Sequence, residues 1–215
     1  MSDLQQPSKG GLLIVFDGID GAGKTTQLQL AQEALKSEGW PVYTTRNLGG
    51  TPIGEELRKI IKSPLERPES TNVYIAVAIQ EALIEAIQAE KAKGQLILED
   101  RGPLALAAYE LYGSGLDKSL VWPHVERGMV ELKPKLTIIY DVDVNAGLQR
   151  AKQKSAQARA DYFESKPHDY FERVAKGYQL MAKQCGDAAV VIDANQPIEA
   201  VRRATMRAIR RALAV

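Results

Sequence analysis

The sequence predicts an α/β fold in which helices cover both faces of one five-stranded parallel sheet. Short apolar segments alternate along the chain with longer segments of helical periodicity, which is the pattern of repeated strand–helix units. Each short segment is also apolar at nearly every position, as expected of a strand that is buried on both faces. With 215 residues and 45% hydrophobic content, we expect residues 1–215 to form a single domain.

The alternating segments assign the individual strands and helices. The predicted strands span residues 12–16, 42–45, 96–99, 136–141 and 189–192. The predicted helices span residues 23–37, 53–62, 71–93, 103–112, 117–131, 144–158, 167–184 and 197–213. The stretch that leads into the helix at 167–184 is polar, charged and poor in large aliphatic residues. We therefore predict a short mobile lid at about residues 150–167.

Charge and composition argue against several classes of partner. Lys and Arg total 28 against 27 Asp and Glu, so the net charge of +1 provides no bulk attraction to nucleic acid or membrane surfaces. No apolar run approaches the ~20 residues that a membrane span requires. Cys185 is the only cysteine, which excludes an intrachain disulfide and is typical of a reducing compartment. We expect a cytoplasmic protein that binds small molecules, with no nucleic-acid or membrane partner.

The stretch FDGIDGAGKTTQ contains the P-loop pattern G-x-x-x-x-G-K-[ST] at residues 18–25, after a predicted strand and before a predicted helix. Glycines in this context let successive backbone N–H groups point at a phosphate chain, and the helix N-terminus adds positive charge. Lys24 is expected to reach the β- and γ-phosphates of ATP, and the Thr25 hydroxyl to ligate Mg²⁺. The architecture is therefore predicted to be a three-layer P-loop NTPase fold. The predicted ATP-binding residues of the loop are Gly18, Ile19, Asp20, Gly21, Ala22, Gly23, Lys24, Thr25 and Thr26.

Two charged residues follow the third predicted strand, at the sheet edge where α/β proteins bind ligands. Asp100 is a candidate second residue for the magnesium site, although an aspartate before Pro103 also fits a helix N-cap. Arg101 is a candidate bidentate clamp on a second phosphate, and its alternative is a surface salt bridge.

Five motifs follow one another along nearly the whole chain: FDGIDGAGKTTQ, TRNLGGTPIGEELR, EDRG…AAY, YDVD and VIDANQPIEAV. In their order and approximate spacing the sequence resembles the thymidylate kinase family. The resemblance implies transfer of the γ-phosphoryl group of ATP to dTMP, which yields dTDP, with Mg²⁺ as cofactor. It also implies a homodimer formed through a layer of helices.

The resemblance further implies an acceptor site. Arg46 and Arg101 would grip the acceptor's monophosphate, and Asp20 would face its sugar or phosphate. Tyr109 would lie against the deoxyribose, and Tyr74 would stack on the thymine ring. The residues themselves leave alternatives open, because Asp20 is also tolerated as an ordinary loop residue and both tyrosines also suit a helix core.

The sequence departs from the family pattern where the base is read. The arginine usual one turn after the stacking aromatic is replaced by Ala78, and apolar residues 105–108 replace polar ones. Asn47 and Leu48 replace an acid and a proline. A buried base edge without partners costs ~1–3 kcal/mol. Two alternatives to a dTMP kinase therefore stay open. One is a kinase of another or modified pyrimidine deoxynucleoside monophosphate, and the other is a catalytically decayed nucleotide-binding regulatory protein.

Further positive charge at the transition state is expected from the lid, because position 21 of the P-loop is glycine. Arg159 is assigned to the transferring phosphoryl group and Arg150 to adenine or an ATP phosphate. The alternative for both is a solvated basic helix face. Gln196 lies in a loop that, by resemblance, touches the adenine, and the same loop also fits a plain helix-entry turn. The predicted catalytic residues are Lys24, Asp20, Arg101 and Arg159.

Overall fold

The computed structural model describes residues 11–155, 162–163 and 165–213. Within them the strands are β1 (Leu13–Asp17), β2 (Val42–Arg46), β3 (Leu96–Asp100), β4 (Leu136–Asp141) and β5 (Ala189–Asp193). The α-helices are α1 (Lys24–Ser37), α2 (Pro52–Lys62), α3 (Glu69–Ala92), α4 (Leu104–Leu106), α5 (Lys118–Leu132), α6 (Val144–Ser155), α7 (His168–Cys185) and α8 (Ile198–Leu213). A π-helix, Ala107–Gly113, follows α4, and a 3₁₀ turn, Gly186–Ala188, precedes β5.

The strands form one parallel sheet in the order β2–β3–β1–β4–β5. The central strand β1 pairs with β3 through Phe16 and Asp100 and with β4 through Phe16 and Ile138. Every residue of β1 is buried, which explains its nearly continuous apolar run. The chain leaves β1 and β3 towards opposite edges of the sheet, and ligands of such sheets bind beyond the carboxyl ends at this switch point. The predicted five-stranded parallel sheet is confirmed.

Helices cover both faces of the sheet, as predicted. Strand side chains alternate between faces. On one face, Ile14 and Phe16 belong to a buried cluster that includes residues of α1 and α8. On the opposite face, Leu13 and Val15 pack with residues of α3 such as Leu83. The carboxyl ends of the strands therefore lie between two packed layers of helices.

The helix predicted over residues 103–112 is not a continuous α-helix. Its α-helical part is α4, and the chain then widens into the π-helix at Ala107–Gly113. The π-helix lies very close to α7, because a Cβ atom at Gly177 would stand only 2.6 Å from the Tyr112 ring. The apolar spacing of this segment does not distinguish α from π periodicity, so the sequence did not indicate the change.

Part of the predicted lid, including Arg159, lies outside the described residues. The described residues that follow it are attached to the body of the molecule. The backbone N–H of Tyr162 donates to the Lys62 carbonyl at 3.0 Å, and Lys166 forms an ion pair with Glu69 at the start of α3. Among the helices that are described, none is long and apolar enough to cross a membrane.

Candidate active site

A cavity of about 1300 Å³ lies at the carboxyl ends of β1, β2 and β3. Most of the predicted site residues line it, so the fold brings together side chains that are far apart in sequence. From the P-loop these are Asp20, Gly21, Ala22, Gly23, Lys24, Thr25 and Thr26; from elsewhere they are Arg46, Asp100, Arg101, Tyr109, Arg150 and Gln196. Gly18 and Ile19 do not line the cavity, but their carbonyl groups accept hydrogen bonds from Arg101 and Lys24.

The backbone of the P-loop requires glycine at two close contacts. Gly21 has a φ of +76°, and a Cβ atom there would stand 1.8 Å from the Gly147 carbonyl oxygen. A Cβ atom at Gly18 would stand 2.6 Å from the Tyr140 carbonyl oxygen. The helix α1 starts directly after the loop, and its N-cap Gly23 has no side chain to satisfy the first N–H groups. These N–H groups are therefore available to an anion in the cavity.

Lys24 is buried at the base of the loop. Its side chain is 6% exposed, and Nζ donates to the Ile19 carbonyl at 2.7 Å. Burial lowers the pKa of Lys24 to about 8, and the nearby Arg101 adds to this effect while acidic neighbours oppose it. A phosphate chain in the loop would compensate for the burial and favour the ammonium form.

Thr25 and Asp100 meet at the point expected for a metal. Thr25 Oγ1 donates to Asp100 Oδ2 at 2.6 Å. Asp100 is not a helix N-cap, because the N-cap of α4 is Pro103. Hydroxyl and carboxylate oxygens fit a hard cation such as Mg²⁺. Since the described residues contain no cluster of three or more acidic, His or Cys ligands, any Mg²⁺ here needs further oxygens from nucleotide and water.

Arg101, Asp20 and Tyr109 form one connected unit. Arg101 Nη2 donates to Asp20 Oδ1 at 2.5 Å, and Nη1 donates to the Gly18 carbonyl at 3.1 Å. Tyr109 Oη donates to Asp20 Oδ2 at 3.2 Å, and its ring centroid lies 4.9 Å from Arg101 Cζ. Arg101 has a φ of +71°, which is uncommon for a residue other than glycine and aims its side chain across the loop. The side chain is only 17% exposed, so this contact is not a surface salt bridge.

The electrostatic environment keeps Asp20 ionised. Burial alone would raise the pKa of its carboxyl, but the positive charges of Arg101, Lys24 and Lys62 outweigh burial and hold the pKa at about 2. Asp20 therefore carries a negative charge throughout the physiological pH range and fixes the Arg101 guanidinium.

Arg46 also lines the cavity, and a residue that we did not identify from the sequence orients it. Arg46 Nη2 and Nε donate to the two carboxylate oxygens of Glu55 at 2.7 and 3.2 Å. Glu55 Oε1 also accepts from the Gly50 N–H at 2.9 Å, which attaches the arginine to the Gly-Gly turn. Hydrogen bonding to Arg46 lowers the pKa of Glu55. The only signal in the sequence is an acid in the first turn of the helix that follows this turn.

The helix α3 does not present Tyr74 to the cavity as predicted. Tyr74 does not line the cavity and is 60% exposed, so here it is neither positioned to stack on an acceptor base nor a core aromatic. Ala76 and Gln80 line the cavity instead. Two residues correspond to about 200° of helix rotation, so Tyr74 and Ala76 point in nearly opposite directions. The apolar cavity-facing position on this helix is accordingly Ala76 rather than Ala78.

The opposite end of the cavity is formed by α6 and the loop after β5. Arg150 Nη1 donates to the Ala194 carbonyl at 3.3 Å, and Gln196 Nε2 donates to Asp193 Oδ2 at 2.8 Å. Both side chains line the cavity beside the P-loop. Arg150 is exposed, so its place in the cavity wall fits both the predicted contact with ATP and a solvated helix face.

Two further residues of the cavity wall, Phe163 and Glu110, were given no role from the sequence. Phe163 lines the cavity and packs edge-on against Tyr109, with 5.9 Å between the ring centroids. Glu110 lines the cavity although it is only 3% exposed. An isolated acid within the apolar run ALAAYELYG was the available signal for Glu110.

A P-loop that shares a cavity with two arginines at the carboxyl edge of a parallel sheet is the arrangement expected of a P-loop phosphotransferase. The family model for thymidylate kinase matches residues 16–205. Thymidylate kinases from Halothermothrix orenii and Nitrosospira multiformis are 33% and 35% identical to this chain; the matches cover 90% and 93% of it and 93% and 97% of those proteins. The crystal structure of thymidylate kinase from Ehrlichia chaffeensis aligns with a TM-score of 0.74 at 26% identity, over 94% of this chain and 99% of that one.

The chain belongs to the thymidylate kinase family. The resemblance seen in the sequence motifs is thereby confirmed, as is the assignment of the chain to the phosphotransferases.

Proposed function

We propose that this chain phosphorylates dTMP to dTDP with ATP as the donor, which is the activity of the family to which it belongs. The observation that carries the proposal for this site is the presence of the P-loop and the Arg101–Asp20–Tyr109 unit in one cavity. Phosphoryl transfer requires little covalent help from the protein. It requires that donor and acceptor be held in line and that negative charge on the moving group be neutralised.

On the donor side, the N–H groups of residues 18–26 hold the phosphate chain, and Lys24 contacts the β- and γ-phosphates. Thr25 and Asp100 hold Mg²⁺, which supplies charge neutralisation and orientation of phosphate oxygens when it is bound. Arg150 and Gln196 contact the adenine end of ATP. The support is that these side chains line the same cavity.

On the acceptor side, Arg101 and Arg46 hold the monophosphate. Each guanidinium already contacts a carboxylate, Asp20 or Glu55, which orients it and leaves further N–H donors for phosphate oxygens. The Tyr109 ring lies against the deoxyribose and disfavours a 2′-hydroxyl.

Residues of about 150–167 close over the ligands and exclude water, which would otherwise hydrolyse ATP. Arg159 supplies positive charge to the transferring group. Phe163, which packs on Tyr109 from this segment, supports closure over the acceptor side.

We also propose a single-domain cytoplasmic protein that forms a homodimer. The exposed apolar side chains Ile53 and Ile60 of α2 and Tyr74 of α3 support a helical dimer face, and the single Cys185 fits a reducing compartment. Light scattering on the purified protein tests the dimer: a mass of one chain at micromolar concentration contradicts it.

The activity is tested by release of ADP in the presence of Mg²⁺ and a panel of dTMP, dUMP, dCMP, dGMP and modified pyrimidine monophosphates. We expect the highest kcat/KM for dTMP, and loss of turnover in Lys24→Ala. A strong preference for another acceptor would contradict dTMP as the substrate; Ala76, Ala105 and Leu106 in the cavity wall are the observation that favours a modified base. Absence of turnover with every monophosphate, together with ATP binding that depends on Lys24, would support a regulatory nucleotide-binding protein.

A further inference from the structure

Glu110 is a buried acid in the cavity wall to which the mechanism above gives no role. It is only 3% exposed and lines the cavity together with Leu106, which lies one helical turn earlier. Arg101 and Tyr109 mark where the acceptor's phosphate and sugar bind. Ala76, facing from α3, and Leu106 belong to the remaining part of the acceptor side, where the base must lie. Glu110 therefore stands beside the predicted base site.

The polar neighbours of Glu110 leave its carboxyl incompletely satisfied. Ser114 Oγ lies 3.2 Å from both Glu110 Oε2 and Glu69 Oε2, and its one proton can serve only one of them at a time. Lys166 forms its ion pair with Glu69. Arg67 donates to Asn72 and to backbone carbonyls. Within the described residues, Glu110 has no ion-pair partner of its own.

These surroundings favour the neutral carboxyl. Burial and the adjacent Glu69 raise the pKa of Glu110 to about 7, and Ser114, Lys166 and Arg67 oppose them only in part. The charged or titratable groups that face Glu110 from the neighbouring elements are Glu69 of α3, Arg67 before it, Lys166 before α7 and Tyr170 of α7. A neutral carboxyl has one O–H donor and one carbonyl acceptor side by side.

The imide edge of a pyrimidine such as thymine has the matching pair, a ring carbonyl that accepts and an adjacent ring N–H that donates. The other cavity residues near this position provide little for the carbonyl. Ala76, Ala105 and Leu106 have no polar side-chain atoms, and Gln80 uses one of the two N–H groups of Nε2 on the His124 carbonyl at 2.9 Å.

We propose that Glu110 is a specificity-determining residue, which donates its carboxyl proton to a ring carbonyl of the acceptor's base and accepts a hydrogen bond from the adjacent ring N–H. It thereby takes the place of the base-reading arginine that this chain lacks. The inference rests on the proposed function, since it assigns the base to the acceptor side of this cavity. An ionised Glu110 can accept from the N–H but opposes the carbonyl, so base recognition weakens as the carboxyl loses its proton.

The test compares Glu110→Gln, which keeps one donor and one acceptor at every pH, with Glu110→Leu, which keeps neither. At pH 6.5 we expect Glu110→Leu to raise the KM for dTMP about tenfold with the KM for ATP unchanged, since a buried base edge loses its partners. In the wild type the KM for dTMP rises as pH passes through about 7. The dTMP phosphate also titrates in this range and affects the KM of both proteins equally, so its contribution is removed from both pH profiles. After this correction, we expect no rise of the KM in Glu110→Gln.

A second acceptor separates base recognition from a structural role. N3-methyl-dTMP lacks the ring N–H, so we expect Glu110→Leu to raise its KM by much less than tenfold. An equal penalty for both acceptors, a KM for dTMP within twofold of wild type, or identical pH profiles for wild type and Glu110→Gln would each overturn the proposal. Calorimetric binding of dTMP and its N3-methyl analogue gives the same comparison without turnover. Failure of wild-type turnover would then count against the proposed function, and equal binding penalties against Glu110.

Discussion

Arg101 Nη2 and Asp20 Oδ1 are 2.5 Å apart, and this pair connects the P-loop to the third strand of the sheet. Asp20 belongs to the loop that we propose to hold the donor, and Arg101 is proposed to hold the acceptor. A charge-assisted hydrogen bond to a carboxylate restricts the orientation of a guanidinium, whereas a solvated guanidinium is free to rotate. On this proposal, the pair sets the position of the acceptor's phosphate relative to the donor.

Replacement of Asp20 by Asn should impair acceptor use most. The amide keeps the shape but loses the charge that fixes Arg101, so we expect kcat/KM for dTMP to fall about 10–100-fold with a smaller change in the KM for ATP. Steady-state kinetics with each substrate varied in turn measures both values. Asp187→Asn, which removes an equal charge from an exposed turn, is the matched control. Equal loss in the two variants would refute a positioning role for Asp20.

Glu55 should matter although it lies outside the cavity lining. Glu55→Gln weakens the two-point contact with Arg46, and we expect the KM for dTMP to rise about 3–10-fold while the KM for ATP stays constant. Glu56→Gln is a closely matched control, because Glu56 is the adjacent acid and pairs only with Lys59 among the contacts described. The assignment of Arg46 to the acceptor's phosphate fails if both variants behave like wild type.

Binding of ATP should be accompanied by proton uptake near pH 8. The pKa of Lys24 is lowered to about 8 in the free protein, so about half of the molecules carry a neutral Lys24 at that pH. Phosphate favours the ammonium form, hence binding takes up about half a proton, and the affinity for ATP falls as pH rises above 8. Calorimetry in buffers of different ionisation enthalpy measures the uptake. Lys24→Arg, which stays charged, should show none of this component; identical uptake in both proteins would contradict the assignment.

Close packing between α7 and the π-helix should make Gly177 intolerant of a side chain. A Cβ atom there would stand 2.6 Å from the Tyr112 ring, so we expect Gly177→Ala to lower the free energy of unfolding by about 1–2 kcal/mol despite the higher helix propensity of alanine. Urea denaturation measures the change. Lys176→Ala, at the adjacent exposed position, should stay within about 0.5 kcal/mol of wild type. An unchanged or higher stability of Gly177→Ala would show that the ring moves aside freely.

The sequence was sufficient to predict the sheet and to locate the P-loop, for a local reason. The strands are buried on both faces, so residues such as Ile14 and Ile138 must be apolar whatever the details of packing. The P-loop is also encoded locally, because its glycines, lysine and threonine act within eight consecutive residues.

The acceptor half depends on tertiary geometry that spacing alone does not determine. Whether Tyr74 or Ala76 faces the cavity depends on the rotation of α3 about its axis, which is set by packing against the sheet. Glu55 reaches Arg46 only because a turn brings α2 back to the end of β2. Likewise, Glu110 appeared as an interruption of an apolar run, and the proposal for it depends on its burial in the cavity wall near Glu69.

The most direct test of the account is a crystal structure with Mg²⁺, a non-hydrolysable ATP analogue and dTMP. We predict the triphosphate within the loop of residues 18–26, with Arg101 and Arg46 donating to the dTMP phosphate on the opposite side of the cavity. A dTMP phosphate bound away from both arginines, which then keep only their contacts with Asp20 and Glu55, would contradict the central claim.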